Sequence, residues 1–214
     1  MNNKFSIIIP TMWVPQSFEI QLTELIQQDV IHEIIIINNK KNKTPDWKIL
    51  ENPKINVIDQ EQNIYVNPAW NLGVKLAKFD YVCLLNDDIL FDTNIFDALL
   101  PVLDNHESGL YGLNMFSNSD TLKLTRAHER CWGFGCLMIM KKNNYLQIPS
   151  ELQILYGDDY LFNMCLPDCW YIDGLPNNRV FGVTCCSDYN TSNPNLPKIS
   201  KEEHEWFANW KATK

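Results

Sequence analysis

The sequence predicts an α/β domain: an open, mainly parallel sheet flanked by helices. Between residues 5 and 88, apolar β-branched runs alternate with amphipathic segments, and each run stops abruptly at polar, turn-forming residues. The runs are Phe5–Ile9, stopped by Pro10; Glu33–Ile37, followed by the polar stretch 38–46; Ile55–Ile58; and Tyr81–Leu85, ending at Asn86-Asp87-Asp88. After Pro15, the residues Phe18, Leu22, Leu25 and Ile26 recur at helical spacing. A second helix is expected from Asn67-Pro68, since Asn caps free N–H groups and Pro suits the first helical position; Trp70, Val74 and Ala77 lie on one face of it. Ligands of such sheets bind beyond the carboxyl ends of the strands. Pro10-Thr11, Asn38-Asn39 and Asn86-Asp87-Asp88 are therefore expected to meet at one crevice.

The second half is less regular. Leu110–Met115 and Cys131–Met140 read as strands, a helix is expected from near Asp158 to before Pro167, short strands follow near 170 and 180, and Glu202–Trp210 reads as a final helix. No repeat, linker or low-complexity tract divides the chain, so a single domain over 1–214 is expected, with the polar stretch 187–197 its most mobile part.

Composition narrows the function. A chain of 214 residues with 45% hydrophobic and 21% charged residues is long and apolar enough to bury a substantial core. The net charge, 18 minus 26 or −8, argues against a nucleic-acid partner, whose phosphates demand clustered Lys and Arg. A diphosphate remains compatible, because a metal ion and backbone N–H groups can hold it without a basic surface. The opening MNNKFSIIIP is no signal peptide, and no apolar run is long enough to span a bilayer, so a cytoplasmic chain is expected. The odd number of cysteines, Cys83, Cys131, Cys136, Cys165, Cys169, Cys185 and Cys186, points to reduced thiols, and no CxxC pair suggests zinc. The histidines His32, His106, His128 and His204 form no metal-ligand spacing.

Three constellations carry chemistry. Asn86-Asp87-Asp88 ends an apolar strand, where adjacent acids can reach a divalent ion whose other ligands are phosphate oxygens and water; Asp88 is the expected metal ligand, with Asn86 or Asp87 nearby. The alternative is a turn-forming, solvated cluster. Gly157-Asp158-Asp159 stands before a helix, whose N-terminus stabilises ionised carboxylates; one acid can cap the helix while the other accepts a proton, and the sequence leaves open which does which. Trp132-Gly133-Phe134-Gly135 combines rings that suit the C–H faces of sugars with glycines that let a ligand approach, although both rings are equally readable as core. GxGxxG, GK[ST] and GxSxG motifs are missing, which removes the signatures of dinucleotide oxidoreductases, P-loop kinases and serine hydrolases.

Taken in order, these segments resemble the inverting glycosyltransferases of family 2 and their GT-A fold. FSIIIPTMW resembles the opening strand and nucleotide-contacting turn of that family, and EIIIINNK places Asn38 and Asn39 where acids commonly meet the base and ribose. In NIYVNPAWNLGVKLA, Asn63, Asn71, Gly73 and Ala77 follow the family pattern, while Tyr65 replaces its first glycine. Asn86-Asp87-Asp88 falls at the metal motif, CWGFGCLMIMKKNNYLQI is similar to the acceptor-side strand, and YGDDYLFN is similar to the Gly-Glu-Asp segment, with Asp159 at the base position.

The resemblance implies a Rossmann-like nucleotide-binding part over about 1–90 and an acceptor-side part with a smaller mixed sheet over about 91–214. It implies a UDP- or dTDP-sugar donor, a glycan acceptor and Mn²⁺ or Mg²⁺ as cofactor. Pro10, Thr11, Asn38, Asn39, Asn63, Asn71, Asn86 and Asp87 are the implied donor-binding residues, Asp88 the metal ligand, Trp132 and Gly133 the acceptor side, and Asp159 with Asp158 the catalytic acids. A late histidine that the family commonly gives to the metal has no counterpart in Arg179–Thr184, and His204 substitutes only if the C-terminal segment folds back. The ending at KATK without an extended acceptor domain reads as a domain taken from a longer polypeptide. The competing readings are a nucleotide-sugar-forming nucleotidyltransferase, which lacks its Gly-rich basic loop here, and a sugar-binding module without turnover.

Overall fold

The structure is a computed structural model and describes residues 4–105, 109–115, 117, 119, 121–174, 179–180 and 193–214. Strands β1 (Phe5–Thr11), β2 (Ile31–Asn38), β3 (Ile55–Asp59) and β4 (Tyr81–Leu85) form the parallel part of an eight-stranded sheet. The small β5 (Ile89–Leu90) follows, then β6 (Leu110–Leu113), β7 (Lys123–Arg126), β8 (Leu137–Lys141), β9 (Cys169–Asp173) and β10 (Arg179–Val180). The large sheet runs β3-β2-β1-β4-β8-β6-β9-β7, and β10 pairs antiparallel with β5 in a separate ribbon. Only β6 and β9 pair parallel in the second half, so the sheet turns mixed where β8 meets β4.

Side chains on successive strand residues point to opposite faces, and the two cores follow that alternation. Phe5, Ile7 and Ile9 of β1, Ile34 and Ile36 of β2, and Tyr81, Cys83 and Leu85 of β4 face helices α1 (Phe18–Ile26) and α3 (Ile95–Asp104). Ile8, Ile35, Ile37, Val82 and Leu84 face α2 (Val66–Leu76), α4 (Gly157–Cys165) and α5 (Leu196–Ala212). Burial on both faces explains the unbroken apolar runs of β1, β2 and β4. Helix α2 lies so close to β1 that a Cβ on Gly73 would run into Ile8.

Several boundaries differ from the sequence expectation. Asn67 is not the cap of α2: Tyr65 precedes the helix, and Asn67 sits inside its first turn with its Nδ2 donating to the Leu155 carbonyl at 2.9 Å. The strand expected from Cys131 begins only at Leu137, because Gly133 turns the chain at φ 82° and a short 3₁₀ turn, Phe134–Cys136, intervenes. Helix α5 starts at Leu196 rather than Glu202; Ile199, Glu203 and Phe207 are its buried face. Helix α3 carries an internal Pro101, and β7 is a largely exposed, polar edge strand; neither was anticipated. The five described cysteines form no disulfide. Cys185, Cys186, His106 and most of the expected mobile stretch lie outside the described residues. No helix among the described residues is long and apolar enough to cross a membrane.

Candidate active site

A crevice of about 630 Å³ opens at the carboxyl edge of the sheet. One wall comes from strand ends: Pro10 and Thr11 of β1, Asn39 just past β2, and Asn86 and Asp87 just past β4. A second wall carries Arg130, Trp132, Gly133, Asp158 and Asp159. The convergence expected from the polar strand ends is thus present, and both acid pairs reach the same cavity through Asp87 and through Asp158-Asp159.

The first wall is tied together by short polar contacts. Thr11 Oγ1 donates to Asp87 Oδ2 at 2.6 Å, joining the ends of β1 and β4, and the Asn39 N–H donates to the Thr11 carbonyl at 2.9 Å. From α1, Gln21 Nε2 donates to the carbonyls of Asn86 at 3.0 Å and Ile89 at 2.6 Å, which fixes the turn between β4 and β5. Burial raises the Asp87 carboxyl to about 7; the Thr11 hydrogen bond opposes the rise and Asp88 adds to it.

Asn63 and Tyr65 continue this wall. Asn63 Oδ1 accepts the Tyr65 N–H at 2.8 Å, and Asn39 Nδ2 donates to the Tyr65 carbonyl at 3.4 Å. Between them Tyr65 adopts φ 65°, ψ 179°, a region that is essentially reserved for glycine. The residue that replaces the family's glycine therefore keeps the glycine backbone.

Three expected site residues do not line the crevice. Asn38 is fully buried behind the wall: its Oδ1 accepts from Trp13 Nε1 at 2.8 Å and Lys40 N at 2.9 Å, and its Nδ2 donates to Asp59 at 2.6 Å and Thr44 at 3.1 Å. Asn71 binds α2 to a neighbouring loop, accepting from Tyr145 Oη at 2.6 Å and Ile148 N at 2.9 Å and donating to the Ile148 carbonyl at 2.9 Å. Asp88 is 1% exposed and is not among the residues that line the crevice.

For a divalent ion, the donors offered here are carboxylate and amide oxygens, the chemistry that Mg²⁺ and Mn²⁺ take. Among the described residues no group of three or more His, Cys, Asp or Glu gathers at one point. The residues therefore fit a cation held by few protein ligands and completed by diphosphate oxygens and water. The C-terminal segment does fold back, but His204 meets the Tyr156 hydroxyl through Nδ1 at 2.8 Å.

The second wall is organised by Arg130, a residue with no motif to announce it. Its Nη1 lies 3.0 Å from Asp158 Oδ2 and its Nε 2.7 Å from Asp159 Oδ1, so one guanidinium bridges both acids. Burial raises the Asp158 carboxyl, Arg130 opposes this, and the Asp159 charge adds to the rise. A Cβ on Gly135 would collide with the Asp158 side chain, so that glycine makes room for the acid. The aromatic motif splits into two roles. Phe134 is fully buried, edge-on to Phe162, whereas Trp132 is 65% exposed at the crevice. Gly133 leaves the space that Met115 fills.

A Rossmann-like, mainly parallel sheet, a crevice at its carboxyl edge and an acid pair lining that crevice fit a glycosyltransferase domain of the GT-A type. A model of Glycosyl transferase family 2 matches residues 6–164, and the chain belongs to that family. Crystal structures of S. aureus TarS share the fold. TarS 1–349 superposes with a TM-score of 0.56 at 18% identity, over 78% of this chain and 57% of that one. A longer TarS structure gives 0.60 at 17% identity, over 79% of this chain and 35% of that one, and TarS 1–349 in complex with UDP-GlcNAc gives 0.55 at 17% identity, over 78% and 55%. The chain thus spans well under two thirds of those proteins. No curated protein matches it.

Proposed function

We propose that the chain transfers a hexose from a UDP- or dTDP-sugar to a hydroxyl of a glycan, with inversion at the anomeric carbon. The observation that carries this reading is the pairing of walls across one crevice: strand-end oxygens and amides on one side, Asp158-Asp159 with Arg130 on the other. Thr11, Asn39, Asn63, Asn86 and Asp87 hold the nucleotide side. Asn38 and Asn71 act from behind the wall, through the backbone they fix. Asp159 accepts the acceptor proton as the hydroxyl oxygen attacks the anomeric carbon opposite the diphosphate. Arg130 engages its Oδ1, so Oδ2 is the atom assigned to the proton. Asp158 shares Arg130 and keeps the guanidinium in register. The exposed ring of Trp132, beside Gly133, receives the acceptor sugar.

Mn²⁺ or Mg²⁺, held by Asp87 or Asp88 with the diphosphate, would neutralise charge developing on the leaving group. UDP is the first nucleotide to try, because the TarS fold has been solved with UDP-GlcNAc. The motif order is also similar to the amino-terminal glycosyltransferase domain of a large multidomain chlorovirus protein. On that similarity we favour rhamnose or glucose as donor sugar, virion glycan synthesis in the host cytoplasm as the role, and further domains of the same polypeptide as partners.

The test is a panel of UDP- and dTDP-sugars with glycan acceptors, with and without Mn²⁺, followed by NMR of the product anomer. Nucleotide released only with acceptor present, and an inverted product, support the proposal. Binding without turnover makes the chain a sugar-binding module, and a retained anomer excludes direct displacement.

A further inference from the structure

The acid segment is held by a helix that lies outside the family match, which ends at residue 164. Glu203 of α5 is 1% exposed, and its carboxylate accepts three consecutive backbone N–H groups: Oε1 takes Gln153 at 2.5 Å and Ile154 at 2.8 Å, and Oε2 takes Leu155 at 2.6 Å. The carbonyls of the same segment are taken from the other side by α2. The Asn67 N–H donates to the Gln153 carbonyl at 3.0 Å, and Asn67 Nδ2 donates to the Leu155 carbonyl at 2.9 Å.

The chain then turns at once into the acids. Tyr156 takes φ 59°, ψ 2°, its ring stacks on Phe207 of α5 at 4.7 Å, and its hydroxyl meets His204. Gly157 packs so tightly on Asn67 that no Cβ fits, and Asp158 and Asp159 follow. Ile154, Leu155 and Tyr156 line the crevice themselves, beside Leu196 and Ser200 of α5.

A carboxylate withdrawn from water is costly unless its oxygens are hydrogen-bonded, and bonds from N–H to a charged acceptor are roughly twice as strong as neutral ones. Docking of α5 would need only its apolar face, Ile199 and Phe207. A buried acid spent wholly on one stretch of backbone does something more specific: it fixes where that stretch lies. Arg130 clamps the acid side chains to their neighbouring loop, whereas Glu203 fixes the backbone that delivers them.

We propose that Glu203 is a positioning residue, setting the backbone of 153–156 through these three N–H groups and thereby holding Asp158 and Asp159 at the crevice. The role of those acids rests on the transferase reading above. The full chain is compared as wild type, Glu203→Gln, Glu203→Asp and Phe207→Ala, by amide hydrogen exchange, UDP affinity, kcat, KM and Tm. Glutamine turns a donor toward at least one N–H, so exchange should quicken at 153–155 and at 157–159, and kcat should fall roughly 10²-fold, the scale of a misplaced reacting group. UDP affinity stays near wild type. Aspartate keeps the charge and restores part of kcat, while Phe207→Ala lowers Tm without a matching fall in kcat. Unchanged exchange at 157–159 in Glu203→Gln overturns the proposal. So does a kcat loss that UDP affinity or Phe207→Ala reproduces. If the wild type turns over no donor, the transferase reading fails, and the exchange at 157–159 still decides the role of Glu203.

Discussion

The two walls of the crevice are built by different means. The nucleotide-side wall is a by-product of regular structure: parallel strands end close to one another, and residues at or just past their ends, Thr11, Asn39 and Asp87, meet because Ile8, Ile35 and Leu84 are in register beneath them. The acid wall has no such frame. Asp158 and Asp159 stand where they do because of single residues from distant segments: the side chains of Arg130, Asn67 and Glu203, and the space left at Gly135. A wall made of backbone tolerates changes to its side chains, whereas a wall made of side-chain contacts fails one contact at a time.

The sharpest way to separate the walls is Asp159→Asn. Asparagine keeps the size and much of the hydrogen bonding but cannot accept the proton. Transfer should fall roughly 10²–10⁴-fold, with nucleotide-sugar affinity near wild type, because the strand-end wall is untouched. Titration calorimetry beside steady-state kinetics checks both halves. Asp158→Asn is the necessary partner, since Arg130 bridges both carboxylates. Near-normal transfer in the Asp159 variant beside collapse in the Asp158 variant would reverse their roles.

The same division explains what the sequence disclosed. Continuous apolar runs and abrupt polar endings are local signals, so β1, β2, β4 and the convergence of their ends were legible from Phe5-Ser6-Ile7-Ile8-Ile9 and its counterparts. The acids were legible too, as a pair before a helix. Arg130, Gln21 and Glu203 were not, because each acts at a sequence distance of some tens of residues and none stands in a periodic pattern. Asn38, Asn71 and Asp88 show the converse. Their positions along the chain are those of wall residues, yet their side chains turn inward, and only packing decides that. Trp132 and Phe134 look alike in sequence and part ways because Gly133 reverses the chain between them.

A pH experiment sharpens the nucleotide side. Burial raises Asp87 to about 7 in the folded protein, against about 3.9 in an unfolded chain. Between those values the folded state binds the extra proton, so stability falls as pH rises from about 4 to about 7 and levels off above. Asp87→Asn removes this dependence. Its Tm advantage over wild type should widen across that window and stay constant beyond it; a gap that does not change with pH would show Asp87 ionised throughout.

Trp132→Ala should be milder, because the ring is 65% exposed and carries little of the core. The acceptor KM should rise more than the donor KM, with Tm almost unchanged. Kinetics with both substrates varied would count against an acceptor-side ring if the two losses were equal.

The smallest expected effect lies at Tyr65, where the regular wall itself is strained. Its φ of 65° and ψ of 179° are held by Asn63 and Asn39 through the two hydrogen bonds to its backbone. Such a conformation costs a residue with a Cβ about 1–3 kcal/mol. Tyr65→Gly alone confounds relief of strain with loss of the ring from the crevice wall. Tyr65→Ala loses the ring and keeps the strain, so the difference between the two variants isolates the backbone. Glycine's greater freedom in the unfolded chain takes back about 0.5–1 kcal/mol. Glycine should therefore still exceed alanine by about 1 kcal/mol, a Tm difference of about 2–4 °C for a domain of this size. That is the reverse of the usual order at an ordinary backbone position. Thermal unfolding of both variants reads it directly. If alanine is as stable as glycine, the loop relaxes once the ring is gone, and the tyrosine side chain, rather than Asn39 and Asn63, is what holds the wall in its glycine-like turn.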